Sequence, residues 1–317
     1  MSLYLQPVPL LWTSAVLLVV FTLMATADGL YLHLYRLRLH RRAAAQGHPR
    51  IDILFGDEFV VAVGKSDDAT LALIQSIPSD KIRIIETVWD DQQREGGRTF
   101  ALETDKAFQA ISPDTDWAFY IQGDECVHEK DLPAIRQAME TYVSDSAVEG
   151  LLFHYKHFYG SYNYEAVSRR WYRREIRVVK NVKGIHSYKD AQGFRLNGRK
   201  IQVKLIPATI YHYGWVKPPK GMSKKVRNFQ KFYHDDAWLD THMPEDFTFD
   251  LSNAERLTHF EGTHPAVAQK RIDSMQWPFH FDPVALRQRM SLRRKLLQQI
   301  EDWTGWRIGE YCNYKII

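Results

Sequence analysis

Residues 8–27 read VPLLWTSAVLLVVFTLMATA, a run without a single charge. Such a run must leave water, so the chain has to provide either a bilayer or a deep core for it. Its length is that of an α-helix crossing the hydrocarbon layer, about 20 residues. A secretory signal peptide would carry basic residues ahead of its apolar run, and none precedes this one. Arg36, Arg38, Arg41 and Arg42 follow it instead, which by the positive-inside rule places the rest of the chain in the cytoplasm. The expectation is one N-terminal transmembrane helix in the inner (cytoplasmic) membrane, with a buried helix of a soluble protein as the alternative. Segment 29–40, GLYLHLYRLRLH, alternates leucine with polar or aromatic residues and reads as a strand or an interfacial continuation of that helix. With AAAQGHPR (43–50) as a linker, the chain divides into an anchor and linker over 1–50 and a body over 51–317.

The body alternates strand and helix patterns. EFVVAV (58–63) is a short buried-strand pattern ending at Gly64, and Asp68 is placed to cap the helix of TLALIQSI. KIRIIETVW (81–89) is a second β-branched strand, followed by the loop DDQQREGGR and a helix from TFALETDKAFQAI. A third strand runs from Trp117 to Ile121 into the acidic turn QGDE, and the next helix carries Leu132, Ile135, Met139 and Tyr142 on one face. This rhythm predicts an α/β fold with a mostly parallel sheet and flanking helices. The ligand crevice of such a sheet lies beyond the carboxyl ends of its strands, where the loops GKSDD, DDQQREGG and QGDE would gather.

Composition narrows the chemistry. A net charge of only +4 gives no case for nucleic acid. Cys126 and Cys312 stand far apart, which excludes a disulfide scaffold and a cysteine-based zinc site and suits a reducing compartment. His128-Glu129 starts like a zincin helix, but the position four residues after His128 is Leu132. The zinc deaminase box suggested by Cys126-Val127-His128-Glu129 lacks its downstream Cys pair. Neither a Walker loop nor a GxSxG elbow occurs.

Asp124 and Glu125 directly follow a buried strand, so they offer hard oxygen ligands for Mg²⁺ or Mn²⁺ that could bridge a diphosphate. A structural acidic turn is the competing reading. His212, after the strand-like KLIPATIY, could complete a metal site or be a hydrogen-bonded core histidine. Asp190 sits in a glycine-containing polar loop and reads as a functional carboxylate or a turn former. Arg98 could meet phosphate or simply be a surface arginine.

Taken in order, EFVVAVGKSDDAT, DWAFYIQGDECVHEKDL, YRREIRVVKN, KDAQGFR, IYHYGWV and TGWRIGEYCNYK resemble a bacterial branch of the family-2-type glycosyltransferases with a GT-A fold. The resemblance covers about 52–317 and rests on six separated motifs in the right order. It implies inverting transfer from a nucleotide-diphosphate sugar, with a divalent metal, to a cell-envelope or polysaccharide acceptor, either a glycan or a lipid-linked one. Asp68 would then lie by the nucleotide. Gln122, Asp124 and Glu125 match the metal and diphosphate motif, His212 matches a histidine near the active site, and Arg98 and Trp215 fall to the substrate. Asp190 is the expected general base and Glu175 the alternative. The family's sheet opens with an interior strand, and here the family-like sequence starts only at the second strand. The expectation is that 30–39 continues the helix and the nucleotide pocket is incomplete. A catalytically inactive, membrane-tethered binding or scaffold protein, or a metal-dependent phosphotransferase, is then the rival.

Overall fold

Burial alternates along the first strand of the body: Val60 and Ala62 pack on one face while Phe59, Val61 and Val63 pack on the other. That period of two is what a pleated strand covered on both faces requires. The structure is a computed structural model that describes the backbone of 15–21 and residues 58–65, 69–77, 79–90, 93–251, 254–281 and 290–317. The expected elements of the body form. They are β2 (Glu58–Gly64), α1 (Thr70–Gln75), β3 (Ile82–Thr87), α2 (Arg98–Gln109), β4 (Trp117–Gln122) and α3 (Leu132–Tyr142). Leu132, Ile135 and Met139 of α3 join Phe59, Trp117 and Phe119 on one side of the sheet, with Tyr142 packed at the edge. Phe100, Ala107 and Phe108 of α2 cover the other side with Tyr120 and Ile176.

The apolar N-terminal run requires a correction. Residues 15–21, in the middle of the segment expected to be a transmembrane helix, form β1 (Ala15–Phe21), a strand parallel to both β2 and β4. Leu17 is in register with Phe59 on one side and Phe119 on the other. The physical reason is that AVLLVVF is a continuous, β-branched apolar run, as interior parallel strands are, and hydrophobicity alone does not separate such a strand from a helix. Without β1, the facing edges of β2 and β4 would hold unpaired N–H and C=O groups. The strand thought missing is therefore present, and it joins the body's sheet across the boundary drawn at residue 50. Segment 30–39, the linker and the rest of 8–27 lie outside the described residues. Among the described residues, no helix is long and apolar enough to cross a membrane.

Beyond β4 the sheet becomes mixed. The strand order is β3-β2-β1-β4-β8-β6, where β8 (Arg174–Lys180) is antiparallel to both β4 and β6 (Gly150–Tyr159), and the short β7 (Tyr164–Ala166) pairs antiparallel with the end of β6. On the far side of β6 runs β12 (Gln202–Trp215), parallel to it, and β12 also pairs antiparallel with the short β5 (Glu125–Val127) that follows the acidic turn. Between β8 and β12, a small antiparallel sheet is made of β9 (Ile185–Ser187), β10 (Phe194–Leu196) and β11 (Arg199–Lys200). Because β8 is reversed, its first residues lie level with the end of β4 and with His154 of β6, and β6 and β12 run on beyond them to Tyr159 and Trp215. Gln122 and Glu175 therefore lie side by side at the end of the sheet toward which β12 carries Trp215 further on. Helix α4 (Pro219–Gln230) follows β12.

Candidate active site

The acidic turn is held by β-pairing. His212 lies opposite Glu125 in the β5–β12 register, and the Tyr213 N–H donates to the Asp124 carbonyl at 2.8 Å. Asp124 and His212 are thereby side by side, with His212 Nε2 at 3.7 Å from Asp124 Oδ2. Lys225 of α4 donates from Nζ to the same Oδ2 at 2.9 Å and to the Gly214 carbonyl at 2.8 Å. A Cβ at position 214 would stand 2.5 Å from both Asp124 Oδ2 and His212 Nε2, so only glycine lets the three groups converge. Burial acts to raise the Asp124 pKa, but the neighbouring Lys225 and His212 overcome it and hold the carboxyl well below the usual carboxylate range.

The proton arrangement of the histidines follows from their partners. His157 Nε2 lies 3.1 Å from the Tyr172 carbonyl, which can only accept, so Nε2 carries the proton. Burial, reinforced by His212, pushes the His157 pKa well down, which keeps that ring neutral and its Nδ1 bare. His212 Nδ1, 3.3 Å away, must then be the donor. Its other ring nitrogen, Nε2, is the atom that faces Asp124.

Glu125 departs from its expected role as a metal ligand. It is fully buried and accepts from Arg177 Nε at 2.8 Å and Nη2 at 2.6 Å, from the Tyr155 hydroxyl, and from the Gln122 N–H at 3.2 Å. Both of its oxygens are thus committed to a buried ion pair. Arg177 lies between the rings of Tyr120 and Tyr155, 5.2 and 5.3 Å from their centroids. Glu125 supports the turn that carries Asp124, and Asp124 faces His212 and Lys225.

A second cluster forms around Asp190. Its carboxylate accepts from the Tyr233 hydroxyl at 3.0 Å, and burial raises its pKa. Lys189 and Ala191 on either side have φ of 55° and 60°, a left-handed backbone that non-glycine residues seldom adopt. Such strain concentrates at functional positions. Gly97 closes the contact, since a Cβ there would lie 2.8 Å from the Asp190 Cβ. Glu175 is buried beside this cluster, and burial pushes its pKa up to about 8 against the opposing pull of Arg177. Helix α4 connects the clusters: Lys225 reaches Asp124, and Tyr233, just past the helix end, reaches Asp190. The two lie eight positions apart in sequence, the first five steps within the helix.

The remaining expected residues are more dispersed. Gln122 ends β4 with Nε2 donating to the Tyr120 hydroxyl at 2.9 Å. Trp215 is half-buried in an aromatic group, 5.4 Å from Trp171 and 6.0 Å from Tyr159 by ring centroids. Arg98 is the first residue of α2 and is solvent-exposed. Asp68 lies outside the described residues. Lys225, Arg177, His157 and Tyr233 were not anticipated. Of these, only Arg177 left a trace, as a charged residue inside the apolar strand pattern REIRVVK.

No known family and no curated protein matches the sequence. Among solved structures, the chain is similar to 4-diphosphocytidyl-2C-methyl-D-erythritol synthase from Anaerococcus prevotii, at 11% identity and a TM-score of 0.36, over 69% of this chain and 98% of that one. It is similar to the glucosyl-3-phosphoglycerate synthase of Mycobacterium tuberculosis, solved with Mn²⁺ and uridine diphosphate, at 16% identity and 0.28, over 46% and 44% of the two chains. TarS of S. aureus matches at 11% identity and 0.32, over 68% of this chain and 39% of that one. At such TM-scores, the strand order and the site residues carry the reading that follows.

Proposed function

We propose that this chain is a glycosyltransferase that moves a sugar from a nucleotide-diphosphate donor to a hydroxyl acceptor with inversion. The observation that carries the reading is the pair of clusters joined by one segment, α4 and the turn after it. Lys225 holds an ionised Asp124 beside His212, and Tyr233 holds a strained and partly desolvated carboxylate at Asp190. Diphosphate would bind at the first, and the acceptor hydroxyl would lose its proton at the second. The donor sugar lies between them, with Trp215 and Gln122 on its border.

Asp124 and His212 fit a divalent cation in part. They provide one ionised carboxylate and one imidazole nitrogen, brought together over a glycine where any Cβ would collide with both, and Lys225 shares the carboxylate oxygen. Among the described residues there is no group of three His, Cys, Asp or Glu side chains able to hold a metal. That suits Mg²⁺ or Mn²⁺ completed by the donor's own phosphate oxygens, as such ions are commonly bound. Asp124 and His212 would hold it, and it would offset charge on the leaving diphosphate. Lys225 adds a second positive charge at the same point.

Between the two candidate bases, Asp190 is the better one. Glu175, with a pKa of about 8, holds its proton at neutral pH and is buried. Asp190 accepts the acceptor's proton as the hydroxyl oxygen attacks the anomeric carbon and the bond to the diphosphate oxygen breaks. Its hydrogen bond from Tyr233 orients the carboxylate. The case for an inactive relic rested on a missing first strand, and β1 removes that observation. The cell-envelope or lipid-linked class of acceptor is drawn from the sequence resemblance alone.

Acceptor-dependent release of nucleoside diphosphate, measured over a set of nucleotide sugars with Mn²⁺, tests the reading. Release that requires an acceptor sugar and is abolished in Asp190→Asn supports it. Pyrophosphate release from a nucleoside triphosphate and a sugar phosphate would instead make the chain a nucleotidyltransferase.

A further inference from the structure

The C-terminal helix α5 (Leu292–Thr304) leaves a row of large apolar side chains in solvent. Its two buried residues are polar, Gln298 and Glu301, with Leu297 and Ile300 half-buried beside them, and Glu301 is gripped by Arg169 at 2.7 Å and Arg307 at 2.7 Å. Its outward residues are apolar, with Leu292 83%, Leu296 59% and Trp303 85% exposed. These three, with Gln299, follow the i, i+4, i+7, i+11 spacing that lines side chains along one face. Trp306, just beyond the helix, is 65% exposed as well. A helix normally turns such a stripe to the core, and isolated exposed leucines need no explanation, but a contiguous row with two tryptophans does.

The charges around the stripe say what it fits. Arg293 and Lys295 flank it on opposite sides of the helix. The helix's two carboxylates are drawn away by arginines of the body, Glu301 as above and Asp302 by Arg256 at 2.8 Å. The outward face is thus leucine and tryptophan, bordered by Arg293 on one side and by Lys295 and the Arg256–Asp302 pair on the other, a net positive border. That is the composition of a helix lying in the plane of an anionic lipid interface, with tryptophan at headgroup depth. We infer that α5 docks this protein onto an anionic membrane surface. The contact is tied to the site, because Arg307 donates to the Trp171 carbonyl at 2.6 Å and Arg173 pairs with Glu310 at 2.8 Å, both in the segment that leads into β8.

The test is sedimentation of the full chain with vesicles of phosphatidylcholine mixed with phosphatidylglycerol and with vesicles of phosphatidylcholine alone. The mixed vesicles should bind it roughly tenfold more strongly or better, since each cation near an anionic surface strengthens binding several-fold. Leu296→Gln with Trp303→Gln, and separately Arg293→Glu with Lys295→Glu, should each weaken that binding more than about tenfold. Arg293, Leu296 and Trp303 are exposed and Lys295 is half-buried, so denaturation midpoints should be unchanged in the apolar double variant and shift little in the charge double variant. Equal binding to both vesicle types would overturn the inference. So would binding that either double variant leaves intact, or a dimer in solution that the apolar double variant dissolves. Vesicle binding is read without any activity and stands apart from the transferase proposal.

Discussion

Replacing Arg177 by methionine removes the positive half of a fully buried ion pair and little of its volume. Glu125 would keep only the Tyr155 hydroxyl and the Gln122 N–H of its four hydrogen bonds. A buried carboxylate left without its cation costs about 3–5 kcal/mol. In a chain of this size that lowers Tm by on the order of 10 °C. Removing both charges together, Glu125→Gln with Arg177→Met, should recover most of the loss, to within about 2 kcal/mol of the parent, because buried pairs contribute little net stability over neutral groups. Urea denaturation at neutral pH gives the three values directly. Parallel titration of Mn²⁺-dependent nucleotide binding below the melting range should show Glu125→Gln close to the parent. The reasoning fails if Arg177→Met unfolds within about 1 kcal/mol of the parent. It fails equally if Glu125→Gln weakens metal-dependent binding as much as a change at Asp124, since Glu125 would then be a ligand after all.

Three further outcomes are expected. Asp124→Asn keeps the size but removes the anion, so metal-dependent nucleotide binding measured by calorimetry should fall more than tenfold, roughly the charge-assisted share of such a contact, while the fold persists. Gly214→Ala forces a Cβ against Asp124, His212 and Lys225, and should reduce turnover about 100-fold or more at a stability cost of about 1–3 kcal/mol in denaturant. Glu175 has a folded pKa of about 8, above its unfolded value of 4.5. Burial therefore costs nothing through ionisation below pH 4.5, and stability falls progressively as pH rises to about 8, by a few kcal/mol. Glu175→Gln should flatten that slope in denaturation curves and be the more stable protein at pH 8.

The strands and helices of the body were legible because burial imposes a period on each of them. The helix face of Leu132, Ile135 and Met139 and the strand of Trp117 to Ile121 could be placed from spacing alone. The apolar run at 15–21 could not, because a strand buried on both faces and a membrane helix share one property, the absence of charge. Its β-branched content was the available signal, outweighed by the uncharged length around it. In the site, the neighbouring positions of Asp124 and His212 were anticipated from motifs. The inward turn of Glu125 was not, since its cation lies on β8, 52 residues away in sequence. Lys225 and Tyr233 sit in a polar helix and the turn after it, with no periodic or spacing signal to mark them.

The central position of β1 also has a temporal side. β1 is synthesised well before the strands on either side of it, and β4 begins only at Trp117. At ordinary rates of translation the wait for β4 is on the order of 5–20 s. Through that interval an uncharged segment hangs on a nascent chain with the edge that will meet β4 open, and with its other edge open until β2 is made. Such a segment is a substrate for holding chaperones and for the machinery that selects apolar sequences at the ribosome. Mutations that slow closure onto β4 should therefore reduce yield without altering the folded protein.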